Sequence, residues 1–221
     1  MDCDLIFPQY FPFWNSLSLE DKEFLCSHSV PVHFEKSQPL TDNRECKGIY
    51  IVKSGKLRLY MLSEDGKEIT LYRLTKGEIC MLSASCVLQS ITFDIYVEAE
   101  EPSDCYAISG AAFAAVSQRV PAVKIHALET AVSRFSDVMW ILQQIVFMSM
   151  DKRLAIFLLD ESAETGSDTV TMTHEQIARH LGTAREVVSR LLRRFSEDGL
   201  VQVNRKGISI TNRKALRQLA G

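Results

Sequence analysis

The segment HEQIARHLGTAREVVSRLLRRF, residues 174–195, leaves the chain few ways to fold. Thr173 with Gln176 three residues on, and Thr183 with Glu186 three residues on, read as two successive capping boxes. In such a box a hydroxyl and a longer polar side chain satisfy backbone N–H groups that a helix start leaves open. Two helices about ten residues apart are therefore expected. Gly182 lies between them and can take the left-handed conformation that ends a helix sharply. Ala178 is small where two helices must cross closely, and Ile177, Leu181, Val188 and Leu191 supply the apolar faces. Counted from His174, alanine is fifth, glycine ninth and valine fifteenth. These are the steric requirements of a helix-turn-helix.

In such a unit the second helix enters the DNA major groove and its N-terminal residues face base edges. The DNA-facing set predicted here is Thr183, Arg185, Glu186, Ser189 and Arg190. Arginine can grip guanine O6 and N7 with two hydrogen bonds, glutamate can accept from cytosine N4, and serine is adaptable. Arg193 and Arg194, further along, are expected to meet phosphate or solvent. In the LVQVNRKGISIT that follows, Val201, Val203, Ile208 and Ile210 alternate around Asn204-Arg205-Lys206-Gly207. That pattern predicts a hairpin with Arg205 and Lys206 at its tip, a wing suited to the phosphate backbone.

Charge supports this placement. From Thr171 to the end there are ten Lys/Arg against four Asp/Glu, a net +6, which leaves −9 on the preceding 170 residues given the overall −3. Attraction to phosphate requires positive charge only where contact is made.

Upstream, Ile125, Leu128, Val132, Phe135, Met139, Leu142 and Val146 are spaced 3, 4, 3, 4, 3, 4. Three heptads with apolar a and d positions fit a two-stranded coiled-coil seam, the predicted dimer interface. The competing reading is a long helix packed only on its own domain. Ile141, Ile145 and Met148 form a second stripe, expected to cover the β-domain. After Met150, DKRLAIFLLDES reads as an amphipathic helix and AETGSDT as a polar link.

From Gly48 the pattern has period two. Ile49 and Ile51, then Leu57, Leu59 and Met61, then Ile69 and Leu71, alternate with their neighbours as in half-buried strands. Ser54-Gly55, Glu64-Asp65-Gly66-Lys67 and Lys76-Gly77-Glu78 supply the turns. Ile91 to Ala99 and Cys105 to Ile108 add further strands, so a β-sandwich or β-roll is expected. Residues 1–45 read as a short helix around LSLEDKEFLCSHS and then irregular chain.

No apolar run reaches the ~18–20 residues that span a bilayer, so no membrane partner is expected. The start, MDCDLIFPQYFPFW, is acidic where a signal peptide would be basic, which predicts a cytoplasmic protein. Six cysteines, Cys3, Cys26, Cys46, Cys80, Cys86 and Cys105, are then expected mostly as reduced thiols and not as a disulfide framework. The chain has no nucleophile elbow, P-loop or GxGxxG, so no catalytic residues are assigned. Its five histidines, His28, His33, His126, His174 and His180, form no His-x-His pair. A cupin-type metalloenzyme is accordingly the weakest reading.

The order of β-roll, long helix and winged helix-turn-helix resembles the Crp/Fnr family of bacterial regulators. YIVKSGKLRLYMLSEDGKEITLYRLTKGE resembles the family's β-roll core, TAREVVSRLLRRFSEDGLV its recognition helix, and ISITNRKALRQLAG its wing and C-terminus. The resemblance implies an α+β fold in three parts. A double-stranded β-helix (jelly-roll) for effector sensing would span 1–115, a dimerisation helix 116–150, and the winged helix-turn-helix 151–221. It implies a homodimer on a palindromic double-stranded site with a TGA-like core in each half, a small effector, and RNA polymerase as a partner. Effector occupancy would shift the seam and bring the two recognition helices to the ~34 Å spacing of successive major grooves.

The resemblance also frames the effector question around Gly77, Glu78, Cys80, Leu82, Cys86, Phe93 and Asp94. Cyclic-nucleotide-binding members carry a Gly-Glu and later an Arg-Ser or Arg-Thr pair that neutralises the cyclic phosphate. Gly77-Glu78 matches the first, but Phe93 and Asp94 stand where the second should be. A buried phosphate without a cation is strongly unfavourable, so no tight cyclic-AMP binding is expected. Cys3, Cys26 and Cys46 are too scattered for the iron–sulfur members' cluster pattern. ICMLSASC resembles the haem-ligating segment of the carbon-monoxide-sensing members. Cys80 matches their cysteine, while Leu82 occupies the place of their histidine. Haem or metal ligation at Cys80, thiol redox sensing by Cys80 and Cys86, and plain burial of both thiols stay open, and the cofactor is not assigned. An effector-independent regulator, its pocket filled by Phe93, Met81 and Leu82, also stays open.

Overall fold

A computed structural model describes residues 2–40, 48–81 and 95–221 of the chain. They group into two units, Met1–Met61 with Leu71–Val138 and Leu62–Thr70 with Met139–Gly221.

The first unit opens with α1 (Cys3–Ile6), two 3-10 turns and α2 (Leu19–Ser27). Ser18 caps α2 by accepting the Asp21 N–H at 3.1 Å. The strands are β1 (Ser29–Phe34), β2 (Ile49–Ser54), β3 (Leu57–Leu62), β4 (Glu68–Leu74), β5 (Ile79–Cys80), β6 (Tyr96–Ala99) and β7 (Ser103–Ile108). One sheet has the order β1-β7-β2-β5 and another β4-β3-β6. Between them lies a core of Phe34, Tyr50, Val52, Leu57, Leu59, Leu71, Leu74, Cys80, Val97 and Cys105. The expected β-roll is present, and Leu57, Leu59 and Leu71 face its interior.

Three readings of this region need correction. Residues 29–34 are a strand, where irregular chain was expected. Pro31 hid it, because proline cannot donate to a ladder, and the structure resolves this by putting β1 at a sheet edge. β2 is not half-buried. Tyr50 and Val52 enter the inter-sheet core, while Ile49 and Ile51 enter a second core on the outer face. That second core holds Phe7, Phe11, Phe13, Trp14, Leu25 and Phe113, so the N-terminal aromatic segment covers the sheet. Finally, Cys3 and Cys26 are joined in a disulfide between α1 and α2. Of the cysteines among the described residues, Cys80 and Cys105 are buried thiols.

α3 (Gly110–Arg119) leads into α4 (Pro121–Phe147), which starts on a proline that has no N–H to leave open. Val123 and Ala127 are the α4 residues sealed in the outer core, with Val138 packed against the inter-sheet core. The second stripe was assigned to this duty, yet its Ile145 is exposed. All seven heptad residues from Ile125 to Val146 are also exposed, by 43–66%.

The second unit contains α5 (Met150–Thr165), β8 (Thr169–Val170), α6 (His174–Leu181), α7 (Arg185–Glu197), β9 (Val201–Asn204), β10 (Gly207–Ile210) and α8 (Arg213–Ala220). Its core is built from Leu154, Leu158, Ile177, Leu181, Val188, Leu192, Phe195, Ile208 and Leu216. Leu192 and Phe195, one and four residues beyond Leu191, carry more of the buried face than Leu191 itself. The expected hairpin gains a third strand, in the order β8-β10-β9. β8 begins at Thr169, the last residue of the stretch read as a polar link, and is only two residues long. Gly207 is required there: at φ +136°, a Cβ would sit 2.3 Å from the Val170 carbonyl oxygen. Among the described residues no helix is long and apolar enough to cross a membrane.

Candidate functional site

The helix-turn-helix forms as α6 and α7. Thr173 accepts the Gln176 N–H at 3.2 Å, and Gln176 accepts the Thr173 N–H at 2.8 Å, completing the first capping box. Gly182 ends α6 at φ +64°. Ala178 and Val188 are buried at the crossing. Arg153 of α5 donates to the Leu181 carbonyl at 2.6 Å, a cation on the negative end of α6 that sequence reading did not anticipate.

The second capping box does not form. α7 begins at Arg185 with Ala184 as its cap, and no side chain bonds that cap. The turn after Gly182 takes up both Thr183 and Ala184, so Thr183 sits one residue too early and Glu186 falls at the second helical position. Glu186 is exposed and enters no hydrogen bond or ion pair among the described residues, so its carboxylate is available to a partner. As an acid in the first turn it also complements the helix dipole.

The predicted readers share one end of α7. Arg185, Glu186 and Arg190 are exposed, above a buried face of Val188, Leu192 and Phe195. Thr183 and Ser189 are half-buried. Ser189 is held by the His174 ring at 2.8 Å. Burial, and then the charge of Arg185, hold His174 below its usual 6.5. Arg193 pairs with Glu197 at 3.0 Å, and Arg194 with Asp151 of α5 at 2.9 Å. Arg194 is exposed, as expected, and in addition is paired within the unit. Arg205 and Lys206 stand exposed at the wing tip, whose turn is closed by Asn204 accepting the Lys206 N–H at 2.8 Å. Between wing and helix-turn-helix lies a groove of about 550 Å³ lined by His174, Arg185, Asn204, Arg205 and Lys206 among others. His174, Arg153 and Asp151 were not singled out for these roles, because their partners lie 15 to 43 residues away with no periodic relation.

The sensor side is less complete. Leu82, Cys86, Phe93 and Asp94 lie outside the described residues. Gly77 makes a positive-φ turn at +93°. Glu78 accepts from the Thr75 N–H at 2.8 Å and from the Thr75 hydroxyl at 3.0 Å. Its other oxygen accepts from Arg134 of α4 at 2.8 Å. Burial pushes the Glu78 carboxyl up, but the Thr75 and Arg134 contacts outweigh it, and the net direction is down. Arg134 also bonds Asp137 and lies 5.1 Å from the Tyr72 ring centre. The Tyr72 hydroxyl is buried with no hydrogen-bond partner among the described residues. Cys80 and Cys105 are sealed in the inter-sheet core. Burial, helped by Cys80 and Asp104, pushes the Cys105 thiol up to about 12, so it is not a reactive thiolate. Among the described residues no three His, Cys, Asp or Glu side chains converge as a metal-binding set. Arg134 is the sensor-side residue missed in the sequence. It sits between seam positions Val132 and Phe135 and reads there as an ordinary solvated charge.

Comparison with known proteins covers both halves of the chain. Residues 152–219 match the Crp-like helix-turn-helix domain, and residues 31–120 match the cyclic nucleotide-binding domain. The chain is similar to the fumarate and nitrate reduction regulatory protein of Yersinia pestis, 30% identical over 94% of this chain and 84% of that protein. It is 26% identical to the transcriptional regulator flp of Lacticaseibacillus casei, over 95% of each. A crystal structure of a Crp/Fnr-family protein from Eubacterium rectale superposes with a TM-score of 0.91 at 42% identity, covering 96% of this chain and 98% of that one.

Proposed function

The chain belongs to the Crp/Fnr family of DNA-binding transcription regulators, a non-enzymatic family, and from that premise we propose that it acts as an effector-controlled homodimer on a palindromic site. The exposed heptad stripe of α4 carries this reading. Seven large apolar side chains along one helix face, spread over about 30 Å, are uncommon on a monomer's surface. A second copy of the same helix would bury them in a coiled-coil seam. Arg185, Glu186, Ser189 and Arg190 would read each half-site, with Thr183 at the groove edge and Arg205 and Lys206 on the flanking phosphates. RNA polymerase is the partner the family implies. The functional division of the chain follows as 1–115 for sensing, 116–150 for dimerisation and 151–221 for DNA.

The effector is not cyclic AMP on this reading. In sequence, Phe93 and Asp94 stand where cyclic-nucleotide-binding members carry the cation for its phosphate. Glu78, the carboxylate that would take a ribose hydroxyl, is already engaged by Arg134 and Thr75. Burial of Cys80 supports its role as a small apolar residue over that of a haem ligand. The internal Arg134–Glu78 pair also favours a second reading, an effector-independent regulator whose pocket is filled from within.

The test has two parts. Fluorescence anisotropy should show salt-sensitive binding to a TGA-containing palindrome, stronger than to a scrambled duplex, with one dimer per site. Equal binding to both would remove the assignment of the α7 residues as base readers. Calorimetry with cyclic AMP should show no heat at micromolar concentrations, and micromolar affinity would overturn the pocket reading. Full-strength DNA binding by colourless, effector-free protein would select the effector-independent version.

A further inference from the structure

Ser189 does not project from α7 unaccompanied. The His174 Nδ1 lies 2.8 Å from its hydroxyl oxygen, across the crossing of α6 and α7. Both side chains are half-buried, while Arg185, Glu186 and Arg190 around them are exposed. Both ends of the contact are anchored. The Thr173–Gln176 capping box fixes the start of α6, of which His174 is the first residue. Val188, next to Ser189, is fully buried in the core.

A serine hydroxyl has one proton and two lone pairs, so what it offers a base depends on where that proton points. A neutral imidazole has one donor nitrogen and one acceptor nitrogen. Burial and Arg185 keep the His174 ring neutral near pH 7. Its Nε2 makes no protein hydrogen bond among the described residues, and the ring lines the groove beside Arg185, Arg205 and Lys206. With DNA bound, phosphate and solvent would accept hydrogen bonds there, so Nε2 is the nitrogen that gains from carrying the proton. Nδ1 is then left with its lone pair.

We propose that His174 Nδ1 accepts a hydrogen bond donated by the Ser189 hydroxyl, so that Ser189 faces the major groove as a hydrogen-bond acceptor only. The partners that fit are the amino groups of adenine N6 and cytosine N4. Guanine O6 and N7 and thymine O4 are themselves acceptors and are refused. His174 is thus a positioning residue that turns an adaptable serine into a one-way reader. The proposal rests on the reading of Ser189 as a base-contacting residue.

The experiment measures binding of the full-length protein to a duplex panel in which each base pair of one half-site is replaced in turn. Wild type, Ser189→Ala, His174→Leu, His174→Asn and the Ser189→Ala/His174→Leu double variant are compared. Ser189→Ala is expected to flatten discrimination at a single base-pair position by about tenfold. His174→Leu should relax the preference for the amino-bearing base at that same position by a similar factor and leave the other positions unchanged. His174→Asn, whose side-chain oxygen can accept the same hydrogen bond, should restore it. In the Ser189→Ala background the leucine substitution should add nothing there. If His174→Leu weakens every duplex equally, or if the preference survives it, the positioning role is overturned. If Ser189→Ala changes no base preference at all, the underlying reading of Ser189 fails, and the proposal with it.

Discussion

At the scale of single residues, position on α7 separates two kinds of arginine. Arg190 enters no ion pair among the described residues and is exposed on the face that carries Glu186 and Ser189. Arg194, four residues on, is spent on Asp151. Arg190→Ala should therefore weaken binding to the specific site by about 1–3 kcal/mol and leave binding to random DNA nearly unchanged. Equal loss on both would identify it as a phosphate contact. Arg194→Ala should instead cost stability, read as a lower Tm. A third residue sets a pH dependence. His126 of α4 lies against the Phe11 and Phe13 rings, its Nε2 buried and without a hydrogen bond among the described residues. Burial holds its pKa below the usual 6.5, with Glu129 opposing. Above that pH the ring is neutral whether the chain is folded or not. As pH falls through it, the unfolded chain takes up a proton that the folded one refuses, so stability is lost on acidification. His126→Phe should shrink the drop in Tm between about pH 7.5 and about pH 5.5.

At the scale of elements, α4 has two faces with different destinies. Val123 and Ala127 are buried against the β-domain, and the heptad stripe is bare. Phe135→Glu, near the middle of that stripe, should turn the proposed dimer into monomer in sedimentation equilibrium. The proposed seam would lose two phenylalanines, each worth about 1.5–3 kcal/mol when buried, and gain two carboxylates. A variant that stays dimeric would return α4 to the role of a helix serving its own domain. The stripe was legible because a 3-4 repeat is local arithmetic. The true packing face was not, because Val123 and Ala127 differ from their neighbours only in what stands opposite them. The second capping box failed for a related reason: Thr183 and Glu186 have the right spacing, but the turn consumed one more residue than the motif allows.

At the scale of the whole molecule, the N-terminal segment is part of the fold. Phe7, Phe11 and Trp14 are buried on the outer face of a sheet, and Cys3–Cys26 ties α1 to α2 across 23 residues of chain. Closing a loop of that length restricts the unfolded chain and is worth about 3 kcal/mol. Reducing the protein should lower its Tm, while a Cys3→Ser/Cys26→Ser variant should melt at the same temperature with or without reductant. No shift on reduction of the wild type would show that the bond does not form in solution. The pairing was not legible because cysteines in a chain read as cytosolic are expected as thiols, and spacing alone names no partner.

Sequence alone determined the helix-turn-helix, the wing, the β-roll and the heptad stripe, because each is written in local periodicity, turn chemistry or capping. Tertiary structure decided which polar side chains of α7 are free and which are engaged: Arg190 and Glu186 on one side, Ser189 and Arg194 on the other. It also decided that β2 is buried on both faces and that Arg134 reaches Glu78. Those outcomes depend on side chains brought together from distant stretches of chain, and a hydrogen bond such as His174 to Ser189 leaves no repeat or spacing by which it could be read in advance.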